Sequence, residues 1–148
     1  MSTWITKPTR RRLSHLPSVP SPTPRCRLAT VGAVADLLID TDVFIDHLRG
    51  AAEIRPARHR LHYSVITRAE LFAGNTATGL ASQLLAPFRE LPVNRDIAER
   101  AGRVVRELGL RLPDAIIAAT ALENGLQLST RNVQDFDRVR GLRLRSLR

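Results

Sequence analysis

Leu37-Leu38-Ile39-Asp40-Thr41-Asp42-Val43-Phe44-Ile45-Asp46 is the stretch from which the rest of the chain is read. An apolar run ends in a carboxylate, a hydroxyl and a second carboxylate, and then turns apolar again. Leu37 to Ile39 have the length and composition of a short buried strand. After Thr41 the apolar residues Val43, Phe44 and Leu48 fall at helical spacing, with Gly50 as the stop. Asp40 then stands at the carboxyl end of a strand, before the next helix, which is where open α/β sheets bind ligands. Two carboxylates there suit a hard cation such as Mg²⁺. Asp and Thr at such a junction are also ordinary N-caps, so the remainder of the chain has to decide between the two readings.

Downstream, strands and helices alternate. Leu61 to Ile66 reads as a second strand, and a helix opens at Thr67 and stops at Gly74. Thr67 and Glu70 have capping-box spacing, in which Glu70 only bonds back to the backbone. Thr76 to Phe88 carries an amphipathic stripe, and Leu91-Pro92-Val93 is a short edge strand. Asn94 caps a helix from Arg95 to Leu108, closed by Gly109. Leu112-Pro113-Asp114 opens a helix whose body, Ala115 to Leu122, is almost wholly apolar. Asp114 therefore leads into the core, where an unpaired charge is costly and a cation is a good partner. Leu126 to Ser129 and Leu142 to Leu144 complete the strands. This alternation after residue 36 predicts an α/β fold with a central parallel sheet.

Asp40, Glu70, Asp114 and Asp135 each lie just past a predicted strand or at a helix start, so one sheet edge can gather them. An all-oxygen set selects Mg²⁺ or Mn²⁺ over zinc. Such ions make a nucleophile of water and stabilise phosphodiester displacement. No side chain stands out as a covalent nucleophile, so water is the expected attacker.

Composition sets the limits. The chain has 148 residues and a net charge of +9, with 43% hydrophobic residues, values of a globular domain. Residues 1–35 hold Lys7, Arg10, Arg11, Arg12, Arg25 and Arg27, no acid, and five of the nine prolines. That segment is expected to be a disordered basic extension, either with a role of its own or as upstream sequence from a mis-assigned start. Most of the charge excess lies there, so nucleic acid is a plausible partner that charge alone does not demonstrate. Cys26 is the only cysteine, which excludes an intrachain disulfide or a cysteine zinc cluster and points to a reducing, cytoplasmic setting. No apolar run approaches the roughly 18 residues of a membrane span. Leu28 to Val34 is too short and too diluted for a secretory signal.

Four blocks in order, Leu38 to Asp46, Ser64 to Leu71, Leu112 to Thr120 and Ser129 to Phe136, resemble the PIN-domain ribonucleases, most of all the VapC toxins of toxin–antitoxin pairs. The resemblance spans about residues 36–146. It implies a PIN-like three-layer fold over 36–148, and Mg²⁺-dependent endoribonuclease activity with Mn²⁺ as substitute. It implies metal ligation by Asp40 and Asp114, with Glu70 binding metal or positioning water. Asp135 is assigned the fourth acidic position, with Asn132 as the alternative. Asp42 and Asp46 are read as solvated or outlying. A cognate antitoxin, a transfer or ribosomal RNA substrate and a homodimer are further implications. A PIN nuclease of RNA maturation or structured DNA, and a catalytically silent PIN-fold binder, are the alternatives. A response-regulator receiver is set aside, because it needs a late lysine and the only lysine is Lys7.

Overall fold

A computed structural model describes residues 34–55 and 59–147. The expected extension lies outside the described residues except for Val34 and Ala35, and Cys26 lies outside them as well. The elements run β1 (Asp36–Ile39), α1 (Thr41–Leu48), β2 (Arg60–Ser64), α2 (Val65–Ala73), α3 (Thr78–Leu85), β3 (Arg89–Leu91), α4 (Arg95–Leu108), α5 (Leu112–Glu123), β4 (Gln127–Ser129), α6 (Val133–Phe136) and β5 (Arg143–Leu144). The five strands form one sheet in the order β3-β2-β1-β4-β5, and every pairing is parallel. β1, the strand of the opening stretch, is central.

A strand buried on both faces divides its side chains between two cores. Leu37 and Ile39 join Phe44, Leu61, Tyr63, Leu71 and Leu85 on one face. Leu38 joins Leu128, Ile97, Ala101, Val104, Ile117 and Ala118 on the other. The sheet is therefore the middle of three layers, with α1 and α3 on one side and α4 and α5 on the other.

Small residues bring α5 close to its neighbours. Ala115, Ala118, Ala119 and Ala121 are all fully buried, and an alanine face lets a helix lie close against other elements. Thr120 is buried among them and satisfies its hydroxyl on the Ile116 carbonyl at 2.7 Å. α4 obeys its local signals. Asn94 Oδ1 accepts from the Ile97 amide at 2.9 Å, and Gly109 adopts φ +70°, a left-handed conformation that costs glycine little.

Two boundaries differ from expectation. β2 ends at Ser64, because the Ser64 side chain accepts from the Ile66 amide and starts α2 at Val65. Thr67 is thus inside the helix, fully buried, and no capping box forms with Glu70. The edge strand is Arg89–Leu91 rather than 91–93, since Pro92 cannot donate to the ladder. Among the described residues no helix is long and apolar enough to cross a membrane.

Candidate active site

The carboxyl end of β1 delivers Asp40 into a nearly closed site. The residue is 4% exposed and is the N-cap of α1. Its Oδ1 accepts from the Thr41 amide at 2.7 Å, and its Oδ2 accepts from the Thr130 hydroxyl at 2.7 Å. Thr130 follows β4, the neighbouring strand, and its oxygen in turn accepts from the Asn132 amide at 3.0 Å. The cap and the site are therefore the same carboxylate. Burial lifts the Asp40 carboxyl from 3.8 to about 7, the negative charge of Asp42 adds to this, and Asp114 pushes in the same direction. The bonds from Thr130 and Thr41 pull the other way.

Glu70 arrives from α2. Its Oε2 accepts from the Thr41 hydroxyl at 2.6 Å, and that hydroxyl lies 3.1 Å from the Thr67 hydroxyl. The early start of α2 makes this geometry, since it turns Thr67 and Glu70 toward α1 instead of leaving them as a terminal cap. Arg68, one residue from Thr67, points elsewhere. It donates to Glu90 Oε2 at 2.5 Å and to the Tyr63 hydroxyl at 2.6 Å, and Tyr63 donates to the same Glu90 oxygen at 2.7 Å. That network fastens the first half of α2 to β2 and β3.

Asp114 stands in the first turn of α5. Among the described residues its carboxylate has no hydrogen-bond or ion-pair partner. Burial raises its carboxyl, Arg111 opposes this, and the charges of Glu70, Asp135 and Asp42 raise it further. Asp135 is exposed in the first turn of α6 and accepts from Asn132 Nδ2 at 2.7 Å. The two candidates for the fourth position are thus hydrogen-bonded neighbours, with the carboxylate on Asp135.

Asp42 is more involved than its reading as a solvated or outlying acid. It is half-buried. Its Oδ2 accepts from the Arg131 amide at 2.8 Å and lies 3.5 Å from the Thr130 hydroxyl. Its Oδ1 is buried with no partner among the described residues. Burial raises its carboxyl above the ordinary value, and Asp46 adds to this. The available signal was the Asp-x-Asp spacing at the start of a short apolar helix. Asp46, one turn further along α1, is ion-paired to the Arg131 guanidinium.

The donors around this edge are hard carboxylate and hydroxyl oxygens. Three of the acids, Asp40, Asp42 and Asp114, have raised proton affinity from burial and neighbouring negative charge, and one buried oxygen, Asp42 Oδ1, has no donor among the described residues. A divalent cation fits such a set. Among the described residues no three acidic, histidine or cysteine side chains already close on one point as a finished cage. Close carboxylates repel one another until a cation neutralises them. It follows that Asp42→Asn, which keeps an acceptor for the Arg131 amide but removes a charge, is expected to raise the melting temperature of the metal-free protein by a few degrees. It is also expected to shrink the further rise on adding Mn²⁺. Differential scanning fluorimetry with and without the ion checks both.

Comparison with known proteins agrees with this architecture. The PIN domain family model matches residues 37–142. Ribonuclease VapC10 of Mycobacterium tuberculosis is 40% identical over 113 residues, covering 68% of this chain and 85% of that protein. Ribonuclease VapC19 of the same organism is 36% identical over 114 residues, covering 67% of this chain and 90% of that protein. A toxin–antitoxin complex from Klebsiella pneumoniae superposes with a TM-score of 0.60 at 34% identity, covering 72% of this chain and 94% of that one. The family match runs from β1 through β4 and takes in the acids between and after them, and the chain belongs to the PIN-domain family, among its VapC ribonucleases.

Proposed function

We propose that this chain is the toxin of a type II toxin–antitoxin pair and hydrolyses RNA internally with metal-activated water. The observation that carries the reading is Asp40, a buried carboxylate at the end of the central strand, facing Asp42 and Asp114 and held by Thr130. Burial and the neighbouring acids disfavour ionised Asp40, a cost that a divalent counter-ion would relieve. Asp40 and Asp114 are the principal ligands for Mg²⁺, with Mn²⁺ as substitute, and Asp135 completes the acidic set. Bound there, the cation supplies the acidity that makes water a nucleophile at neutral pH and neutralises charge on the phosphodiester.

The chain's own residues supply the geometry. The Thr41 hydroxyl orients Glu70 by donating to one carboxylate oxygen, which leaves the other to accept a proton from the attacking water. Thr130 and the Thr41 amide keep Asp40 in a single rotamer. The named relatives are ribonucleases, and the Klebsiella structure is a toxin–antitoxin complex. We therefore assign this chain an RNA substrate, of transfer or ribosomal type, and an antitoxin that covers the carboxylates. Of the arginines that could line an RNA groove (Arg49, Arg68, Arg131 and Arg138), Arg68 is committed to Glu90 and Tyr63, and Arg138 to the Leu108 carbonyl. Homodimerisation through the α3 side draws on its exposed Leu80, which is 50% accessible.

The test is the mapping of RNA ends after brief expression of the protein beside its Asp40→Asn variant. New ends recurring at defined positions with the wild type alone are expected. End profiles identical to those of the variant sink the reading.

A further inference from the structure

Next to the carboxylates the same sheet edge opens into a cavity of about 710 Å³, within the roughly 300–1,000 Å³ of small-ligand sites. It lies between α1, the segment 52–55, the start of α6 and the segment 144–147. Thr130 lines it and also holds Asp40, so the cavity and the carboxylate site meet at one residue. Val133, Leu144 and Leu147 form an apolar wall. Val133 is 52% exposed, so its side chain is available to a ligand in the cavity.

The polar wall is cationic. Arg131 and Arg145 both line the cavity. Arg131 rests on Asp46 with its side chain 61% exposed, and Arg145 has no ion pair among the described residues. Glu53, the acid of this lining, is already paired with Arg55 at 2.7 Å. An apolar wall beside guanidinium groups suits the nonpolar face of a nucleobase and the phosphate attached to it. A base held inside a duplex has its faces stacked on its neighbours and cannot enter.

We propose that this cavity receives the nucleotide adjacent to the scissile phosphate of an unpaired RNA segment, its base against Val133 and Leu144 and its phosphate on Arg131 and Arg145. The proposal rests on the RNA-cleaving reading and adds to it a subsite for one nucleotide beside the cut. The slot lies off the carboxylates, so its loss leaves ion binding intact.

Fluorescence anisotropy with a short labelled single-stranded RNA of mixed sequence tests this, in an Asp114→Asn background that prevents cutting. Arg145→Glu and Val133→Trp are each expected to weaken binding about tenfold, the loss of one nucleotide's contacts in the cavity. In the Asp114-intact protein, each is expected to leave calorimetric Mn²⁺ affinity within about twofold. The same sequence closed into a duplex is expected to bind weakly and to be indifferent to Val133→Trp. Should Val133→Trp fail to fold, Arg145→Glu on the surface still decides. RNA affinity unchanged in the variants overturns the slot. So does weakened capture of the co-expressed antitoxin with RNA binding intact, which makes the cavity an antitoxin site. A parent protein that binds no RNA and cuts none fails earlier, and takes the nuclease reading down with the slot.

Discussion

Asp114→Asn is expected to lower the RNA cleavage rate of the purified protein by about a thousandfold or more, with no loss of thermal stability. The two halves of this result have separate causes. Asp114 has no hydrogen-bond partner among the described residues, and burial, joined by the charges of Glu70, Asp135 and Asp42, disfavours its ionised form against the pull of Arg111. An amide of the same shape therefore removes repulsion and breaks no contact. A cation held by this edge, in contrast, loses one of its main anionic ligands. EDTA is expected to produce the same silence in the wild type, reversible by excess Mg²⁺. A rate assay beside a melting curve reads both halves. Cleavage that survives Asp114→Asn refutes the assigned chemistry, and a melting temperature that collapses means the carboxylate is structural.

The second large effect concerns pH. In the metal-free protein the Asp40 carboxyl is raised from 3.8 to about 7, so between those values the folded state holds a proton that the unfolded chain has released. Stability linked to Asp40 is therefore fully present below about pH 4 and declines as pH rises through about 7. The loss is on the order of 4 kcal/mol, a shift of about three units at roughly 1.4 kcal/mol each. Asp36 and Glu90, both held low by arginine partners, act with the opposite sign but are common to wild type and variant. Asp42 and Asp114 are raised as well and act with the same sign as Asp40, so the difference between wild type and Asp40→Asn reads Asp40 together with its coupling to them. Urea denaturation in EDTA at several pH values is expected to show wild type losing stability relative to Asp40→Asn over that window. A constant difference refutes a buried, protonated Asp40. Metal binding has to expel that proton, so Mn²⁺ affinity is expected to rise as pH climbs through about 7.

What the chain carries locally, it announces. Asn94 and Gly109 bound α4 where a cap and a left-handed glycine bound it, and the run Leu37 to Ile39 is the central strand because its side chains have two faces to fill. Pro113 and the alanines behind it mark α5 in the same way. These signals act within a turn or two, so residue identity and spacing contain them. The bounds of α2 were harder to read. Ser64 and Thr67 both make credible caps for its start, and which one serves depends on where β2 stops pairing with β1 and β3. That choice turned Glu70 from a backbone cap into an acceptor for Thr41.

The sequence by itself determined the alternating fold and the family resemblance, and it singled out four acids, of which Glu70 lies inside α2 and not at its start. Only the tertiary structure decided that Thr130 holds Asp40 from 90 residues away. It also decided that Asp42 braces the Arg131 loop, and that Arg68 is tied to Glu90 and Tyr63 rather than facing a substrate. The division has a physical origin. Caps and periodicity are short-range preferences of the backbone, whereas charge coupling and hydrogen bonds across a sheet edge depend on which distant segments the parallel register sets side by side.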